Sequence, residues 1–359
     1  MSQQTVQTAK RPAGIVMPWR WLKQPTPWLV AFVFAAVAFY TTTGSSYSIY
    51  VLDTILLAAI GAFALDLLMG TGGQVSIGNA AFLAVGAYTT VWATQTGVAF
   101  PFDVILAGVV AGLVGLVVGV PALRIRGMYL ALATLAAFYI VGFFVQQYQS
   151  KKAGAVGFFL TPVFSGDIFQ QQTSWAWLLA AILALTILVL SWLRSGRSGR
   201  AWRMIRDHEL ASSSMGIPVA RYKLILFVIS SAIIGTQGGL TARFTGSVTH
   251  ESFTLALSIS AVAMILIGGL DTAAGPLVGA AVIMTLPLLV PQVVGAFASS
   301  ASISADAGGY SQIVYGVLIV VFIVGAPKGL SGLINKVGTA LISLVRGSGK
   351  RVSTSGEST

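Results

Sequence analysis

The chain has 359 residues, of which 56% are hydrophobic and 9% charged, and its mean hydropathy is +0.85. A soluble domain carries roughly a quarter charged residues, so this composition excludes a soluble enzyme and reads as an all-α polytopic membrane protein. The formal charge of +11 comes from basic residues spread over loops between apolar stretches, a positive-inside pattern and not a nucleic-acid surface, while the absence of cysteine excludes disulfides, thiolate nucleophiles and Cys-ligated metal centres.

Residues 1–27 form a polar N-terminal tail without signal-peptide architecture, in which Trp19, Trp21 and Trp28 alternate with Arg20 and Lys23. This predicts an interfacial segment on the cytoplasmic leaflet. A membrane domain follows over 28–327. Its apolar windows are Trp28 to Thr43, Ile49 to Met69, Val75 to Thr96, Val104 to Val120, Met128 to Tyr148, Trp175 to Leu193, Leu224 to Phe244, Phe253 to Leu270, Ala274 to Val294 and Gln312 to Ala326. At about 20 residues per span, these give about ten transmembrane helices, six before the polar loop 194–223 and four after it. Residues 328–359 predict a cytoplasmic amphipathic helix, with Leu330, Leu333, Ile334, Val337 and Leu341 at helical spacing, and a disordered tail from Gly347.

With the N-terminus in the cytoplasm, 18 of the 21 Lys and Arg residues face inward, and only Lys151, Lys152 and Arg243 do not. Both termini are then cytoplasmic.

Gly108, Gly112, Gly115 and Gly119 on the fourth span, and the pairs Gly235 with Gly239 and Gly275 with Gly279, predict tightly packed helix faces. Two glycine-punctuated segments, Gly70 to Asn79 and Gly268 to Pro276, interrupt apolar runs with polar residues. Broken helices at matching places in two halves point to a transport pathway, although ordinary loop glycines give the same spacing. Gln74, Ser76 and Asn79 in the first break are the candidate pathway residues, because polar groups at this depth need water or a protein partner. Asp53 and Asp66 lie on the second span, neither at its middle, which fits packing or capping better than a proton relay. The sequence has no phosphate-binding loop, no H-E-x-x-H motif and no catalytic constellation, so no cofactor or metal is expected and any ATP chemistry belongs to another polypeptide.

The loop 194–223 holds seven basic residues, Asp207, Glu209 and His208. Ser195 to Gly199 predict a turn. A short amphipathic helix then runs from about Arg200 to Met215, stopped by Gly216 and Pro218, with the small residues Ala211 to Ser214 near its end. Such a helix either docks in a cleft of a soluble partner or is simply solvated.

The stretch Arg200 to Lys223 resembles the cytoplasmic coupling segment of LivM-type permeases of branched-chain amino acid ABC importers. The resemblance continues through Gly70 to Tyr88, Leu123 to Leu135, Ile267 to Ala280 and Ala326 to Leu333, in the family's order. The chain departs from it in four places: Asn79 stands where members commonly carry His, Asp66 where they commonly carry Asn, Ala211-Ser212-Ser213 where they favour Ala-Ala-Glu, and Glu209 lies one residue further from Gly216 than in the standard importer motif. The resemblance implies a permease subunit for branched-chain amino acids or a related small amide or acid, in a bacterial inner membrane. It implies as partners a LivH-type permease, two ABC ATPase subunits and a periplasmic or lipid-anchored substrate-binding protein. It also implies that Arg206, Asp207, Glu209, Ala211, Ser212, Met215 and Gly216 form the ATPase-coupling surface. The alternative is a secondary, ion-coupled carrier working without an ATPase.

Overall fold

The computed structural model describes residues 26–122, 128–164, 167–297 and 316–317. The described chain is helical: α1 (Thr26–Thr43), α2 (Ser46–Asp66), α3 (Asn79–Gln95), α4 (Phe102–Ala122), α5 (Met128–Lys152), α6 (Ile168–Ser195), α7 (Arg197–Asp207), α8 (Glu209–Ser214), α9 (Val219–Thr245), α10 (Leu255–Gly268) and α11 (Gly275–Phe297). A minimal antiparallel pair, β1 (Phe158–Phe159) and β2 (Ser247–Val248), closes the end opposite α7 and α8.

Seven of the described helices are long and apolar enough to cross a membrane, counting α10 with the short 3₁₀ turn before it. α3 and α11 occupy two further apolar windows. The last window, the interfacial tryptophans Trp19 and Trp21, and the C-terminal amphipathic stretch lie outside the described residues, apart from a helical Gly316–Val317. The third window starts helix later than its hydropathy suggests. A π turn over Leu67–Thr71 ends the second span, and the backbone stays non-helical until Asn79. α3 is thus 17 residues, about 25 Å at 1.5 Å per residue.

α2 is the central helix. It is buried at every residue from Leu56 to Asp66 and packs against α6, α9, α10 and α11. The glycine ladder of α4 lies along α9: a Cβ on Gly112 would meet Ala232, one on Gly115 would meet Ser231, and one on Gly119 would meet Leu224 and Phe227. Gly235 of α9 opposes Ala107 and Ala111 of α4 on one side and Gly86 of α3 on the other. Close backbone approach through small residues is how helices associate where lipid supplies no hydrophobic drive. Hydrogen bonds add to it, with Ser230 Oγ donating to the Ala64 carbonyl at 2.8 Å and the Ala80 amide donating to Ser258 Oγ at 2.9 Å. The outward faces of α4 and α5, with Ile105, Val109, Leu113, Val117, Leu132, Ile140 and Phe143 exposed, are apolar enough to meet lipid or another membrane subunit.

The loop helix differs from its expected form. α6 continues to Ser195, and α7 begins at Arg197 after the single extended residue Gly196, so the expected turn over Ser195 to Gly199 is compressed. The expected helix from Arg200 to Met215 is two helices broken at His208, whose backbone is extended (φ −149°, ψ 90°). The break lets the chain satisfy two anchors at once: Arg206 before it is tied to the π turn, and Glu209 after it is tied to Lys223 of α9. The stop itself is as expected. Gly216 has φ +80°, the left-handed conformation that glycine adopts without a Cβ penalty.

Candidate functional site

α7 is docked by its apolar face. Trp202 and Ile205 are buried, and the Trp202 indole N–H donates to the Tyr222 carbonyl at 3.0 Å. This orientation aims Arg206 at the membrane domain. Its Nη1 donates to the Gly70 carbonyl at 2.5 Å and to Asp271 Oδ2 at 3.1 Å, while its Nε donates to Asp207 at 3.1 Å. Partial burial alone would lower the pKa of the guanidinium, but its hydrogen bonds to the Asp207 and Asp271 carboxylates outweigh this and hold Arg206 above its ordinary value.

Asp271 is the one non-glycine residue with positive φ among the described residues (φ 56°), and it sits in the turn between α10 and α11. Its amide donates to Asp66 Oδ1 at 2.8 Å, and its carboxylate accepts from Thr71 at 3.1 Å. Asp66, fully buried at the end of α2, also takes a 2.7 Å ion pair from Arg194 at the end of α6. Both glycine-punctuated breaks therefore meet at one point, against the membrane-domain side of α7. Only glycine fits at position 70, since a Cβ there would lie 2.5 Å from Asp66 Oδ1 and 2.8 Å from the Asp271 nitrogen.

The seven expected coupling residues divide into two groups. Arg206, Asp207 and Glu209 are engaged within the chain, Glu209 through a 2.7 Å ion pair with Lys223, and Ser212 is buried with its hydroxyl on the His208 carbonyl. Ala211, Met215 and Gly216 are exposed. Met204 and Leu210 likewise present large apolar side chains, at 41% and 71% exposure, and Met215 is 70% exposed, while the opposite side of α7 joins the apolar core through Trp202.

The three expected pathway residues are all buried but do not share a cavity. Gln74 turns toward the loop, its amide donating to the Lys223 carbonyl at 3.2 Å. Asn79, the first residue of α3, lines a cavity of about 180 Å³ between α2, α3, α9, α10 and α11, whose walls do not include Gln74 or Ser76. Asn79 Oδ1 has no hydrogen-bond partner, and neither has Oε1 of Gln237, which lines the same cavity from α9. Tyr50, Thr54 and Thr241 add hydroxyls, and Leu83, Met264 and Met284 add apolar wall. Gly61 on α2 makes room for Gln237, because a Cβ there would lie 2.0 Å from Gln237 Oε1. Sequence reasoning missed Gln237 and Gly61. The available signal was an uncharged polar residue inside an apolar helix, flanked by Gly235, Gly238 and Gly239.

At the opposite end Arg243, an exception to the charge rule, is buried and paired with Asp103 at 2.6 Å. Asp53 is buried on α2 with both carboxylate oxygens unpartnered.

A family model described as the permease component of branched-chain amino acid transport systems matches residues 47–323. The high-affinity branched-chain amino acid transport system permease protein LivM of Escherichia coli K12 is 30% identical over 329 residues, covering 84% of this chain and 74% of that protein. LivM of Salmonella typhimurium is 29% identical over 330 residues, with the same coverage. The permease protein LivH of Salmonella typhimurium is 23% identical over 313 residues, covering 81% of this chain and 92% of LivH. These relatives are transport permeases and not enzymes, and in this family ATP hydrolysis belongs to separate subunits, which sets aside the lone ion-coupled carrier. The chain belongs to the permease component family of branched-chain amino acid transport systems: it is a multi-pass membrane permease subunit of an ABC importer that works with a partner permease and other ABC components.

Proposed function

We propose that this chain is the LivM-type half of a permease heterodimer that carries a branched-chain amino acid, or a related small amide or acid, across a bacterial inner membrane. In this reading the membrane domain spans 28–327 with about ten helices, both termini are cytoplasmic, and 194–223 is the coupling loop. A LivH-type permease lies beside it, two ABC ATPase subunits bind below α7 and α8, and a periplasmic or lipid-anchored binding protein docks at the Asp103–Arg243 end.

The observation that carries the proposal is the placement of α7 and α8. They are pinned inward by Trp202, Arg206 and Glu209, yet offer Met204, Leu210, Ala211 and Met215 outward. Exposed apolar side chains rimmed by charge are what a docking surface needs. ATP-driven movement of the ATPases would displace this segment and bias the permease between outward and inward access. Asn79, with Gln74 and Ser76 near the same break, would contribute to the pathway. Bulk selectivity would lie in the binding protein, because the cavity around Asn79 is lined by uncharged polar groups and apolar wall, with no charged side chain to fix the ammonium and carboxylate of an amino acid.

The test is Ala211→Arg in the assembled complex. A long charged side chain on the outward face of α8 should remove the ATPase subunits on copurification and abolish uptake, while the permease still inserts. Normal uptake with bound ATPase would refute the docking assignment.

A further inference from the structure

α7 is covalently continuous only with α6 and α8, yet its strongest polar contacts reach segments far away in the chain. Arg206 bonds the Gly70 carbonyl, 136 residues earlier, and Asp271, 65 residues later. Gly73, held at φ +65°, lies so close that a Cβ on it would sit 2.7 Å from Arg206 Cγ. Each segment is a place where helix stops. The first runs from the π turn at Leu67–Thr71 to the start of α3 at Asn79, and the second joins Gly268 of α10 to Gly275 of α11. Non-helical backbone between helices is the part of such a bundle able to absorb a change of φ and ψ. The two breaks are also bonded to one another, through the Asp271 amide on Asp66 and Thr71 on the Asp271 carboxylate. The helices that leave them, α3 and α11, supply Asn79, Leu83 and Met284 to the cavity wall, and α10 supplies Met264.

We propose that Arg206 is a positioning residue that clasps α7 to both glycine breaks, so that displacement of the coupling loop reaches α3, α10 and α11 directly and together, and not by way of α6 and α9. The inference rests on the coupling role given to α7 and α8. Its chemistry suits the task. A guanidinium presents several donors in a fixed fork, so one side chain holds a backbone carbonyl and two carboxylates at once. A lysine at 206 would keep the charge and the pair with Asp271 but not the fork. The assignment changes how the loop is read: Arg206 reaches into the permease itself, Asp207 only braces it, and the partner-facing work falls to Met204, Leu210, Ala211 and Met215.

The experiment uses the full complex with its ATPase subunits in proteoliposomes, and exploits the lack of native cysteine in this chain. A single cysteine at Ala273, in the α10–α11 turn, is labelled with a water-soluble maleimide in the nucleotide-free state and in the vanadate-trapped state. The wild-type background should show a labelling rate that changes with nucleotide. Arg206→Gln and Asp271→Asn should assemble and hydrolyse ATP, but the nucleotide-dependent change in labelling should shrink about 10-fold or more, the factor set by losing a charge-assisted hydrogen bond. Arg206→Lys should retain part of the change. A full nucleotide response in Arg206→Gln and Asp271→Asn would overturn the clasp alone. Failure of both to assemble would also overturn it, because the contacts would then hold the fold and not transmit movement. If the wild-type background shows no nucleotide response although ATPase is bound, the coupling reading falls, and the clasp with it.

Discussion

Replacing Asp103 with Leu should be among the most destabilising single changes outside the apolar core. Asp103 is fully buried at the start of α4, and its carboxylate accepts from Arg243 Nε at 2.6 Å, while Arg243, 6% exposed, also donates to the Thr161 carbonyl at 3.4 Å. The pair joins α4 to α9, the two helices whose small-residue faces interlock, and it sits at the end opposite the loop. Removing one partner strands the guanidinium among buried groups, a loss of about 3–5 kcal/mol, whereas replacing both partners with apolar residues of similar size is often close to neutral. The Asp103→Leu variant, heated in detergent and followed by the fraction that stays monodisperse on size exclusion, should lose its midpoint by on the order of 10 °C. The double variant Asp103→Leu with Arg243→Met should recover most of that loss. An unchanged midpoint for Asp103→Leu, or a double variant that is worse than either single one, would refute the argument that an uncompensated buried charge is the cost.

Under the proposed pathway, Gly61→Leu fills the space that holds the Gln237 side chain, and uptake should fall at least about tenfold, the scale on which small misplacements act at catalytic centres, while assembly and ATP hydrolysis persist. Gly216→Val forces a β-branched residue to φ +80°, a strain of about 1–3 kcal/mol, and should weaken ATPase copurification without preventing membrane insertion. A cysteine at Ser213, exposed on α8, should react with a membrane-impermeant maleimide only from the cytoplasmic side, and one at Ser247, exposed on β2, only from the outside. Labelling of both from one side would break the topology.

The positions of most helices were readable from the chain because hydropathy acts over whole spans. α1, α2, α4, α5, α6 and α9 fall where their apolar windows lie, and the glycine ladder of α4 packs as its spacing suggests. What escaped depends on which body covers which face. The amphipathic pattern of 197–207 shows that Trp202 and Ile205 share a side, but not that Arg206 is drawn under the π turn, so it read as partner-facing. The bend at His208 is set by two anchors on different helices, which no local propensity encodes. Gln237 went unread because only the fold places Gly61 and Asn79 around the cavity it lines. Arg243 looked like a stray charge because its partner lies 140 residues away. The two glycine breaks were visible as motifs, but their meeting at Asp271 is a property of the fold alone.

The most direct measurement is uptake of radiolabelled L-leucine into proteoliposomes that contain the complete complex, with binding protein and substrate on one side and ATP supplied or withheld on the side of α7 and α8. The account predicts accumulation only with ATP on that side, insensitivity to an imposed proton or sodium gradient, and loss of uptake in Ala211→Arg. Accumulation by this chain without ATPase, driven by an ion gradient and unaffected by Ala211→Arg, would contradict it.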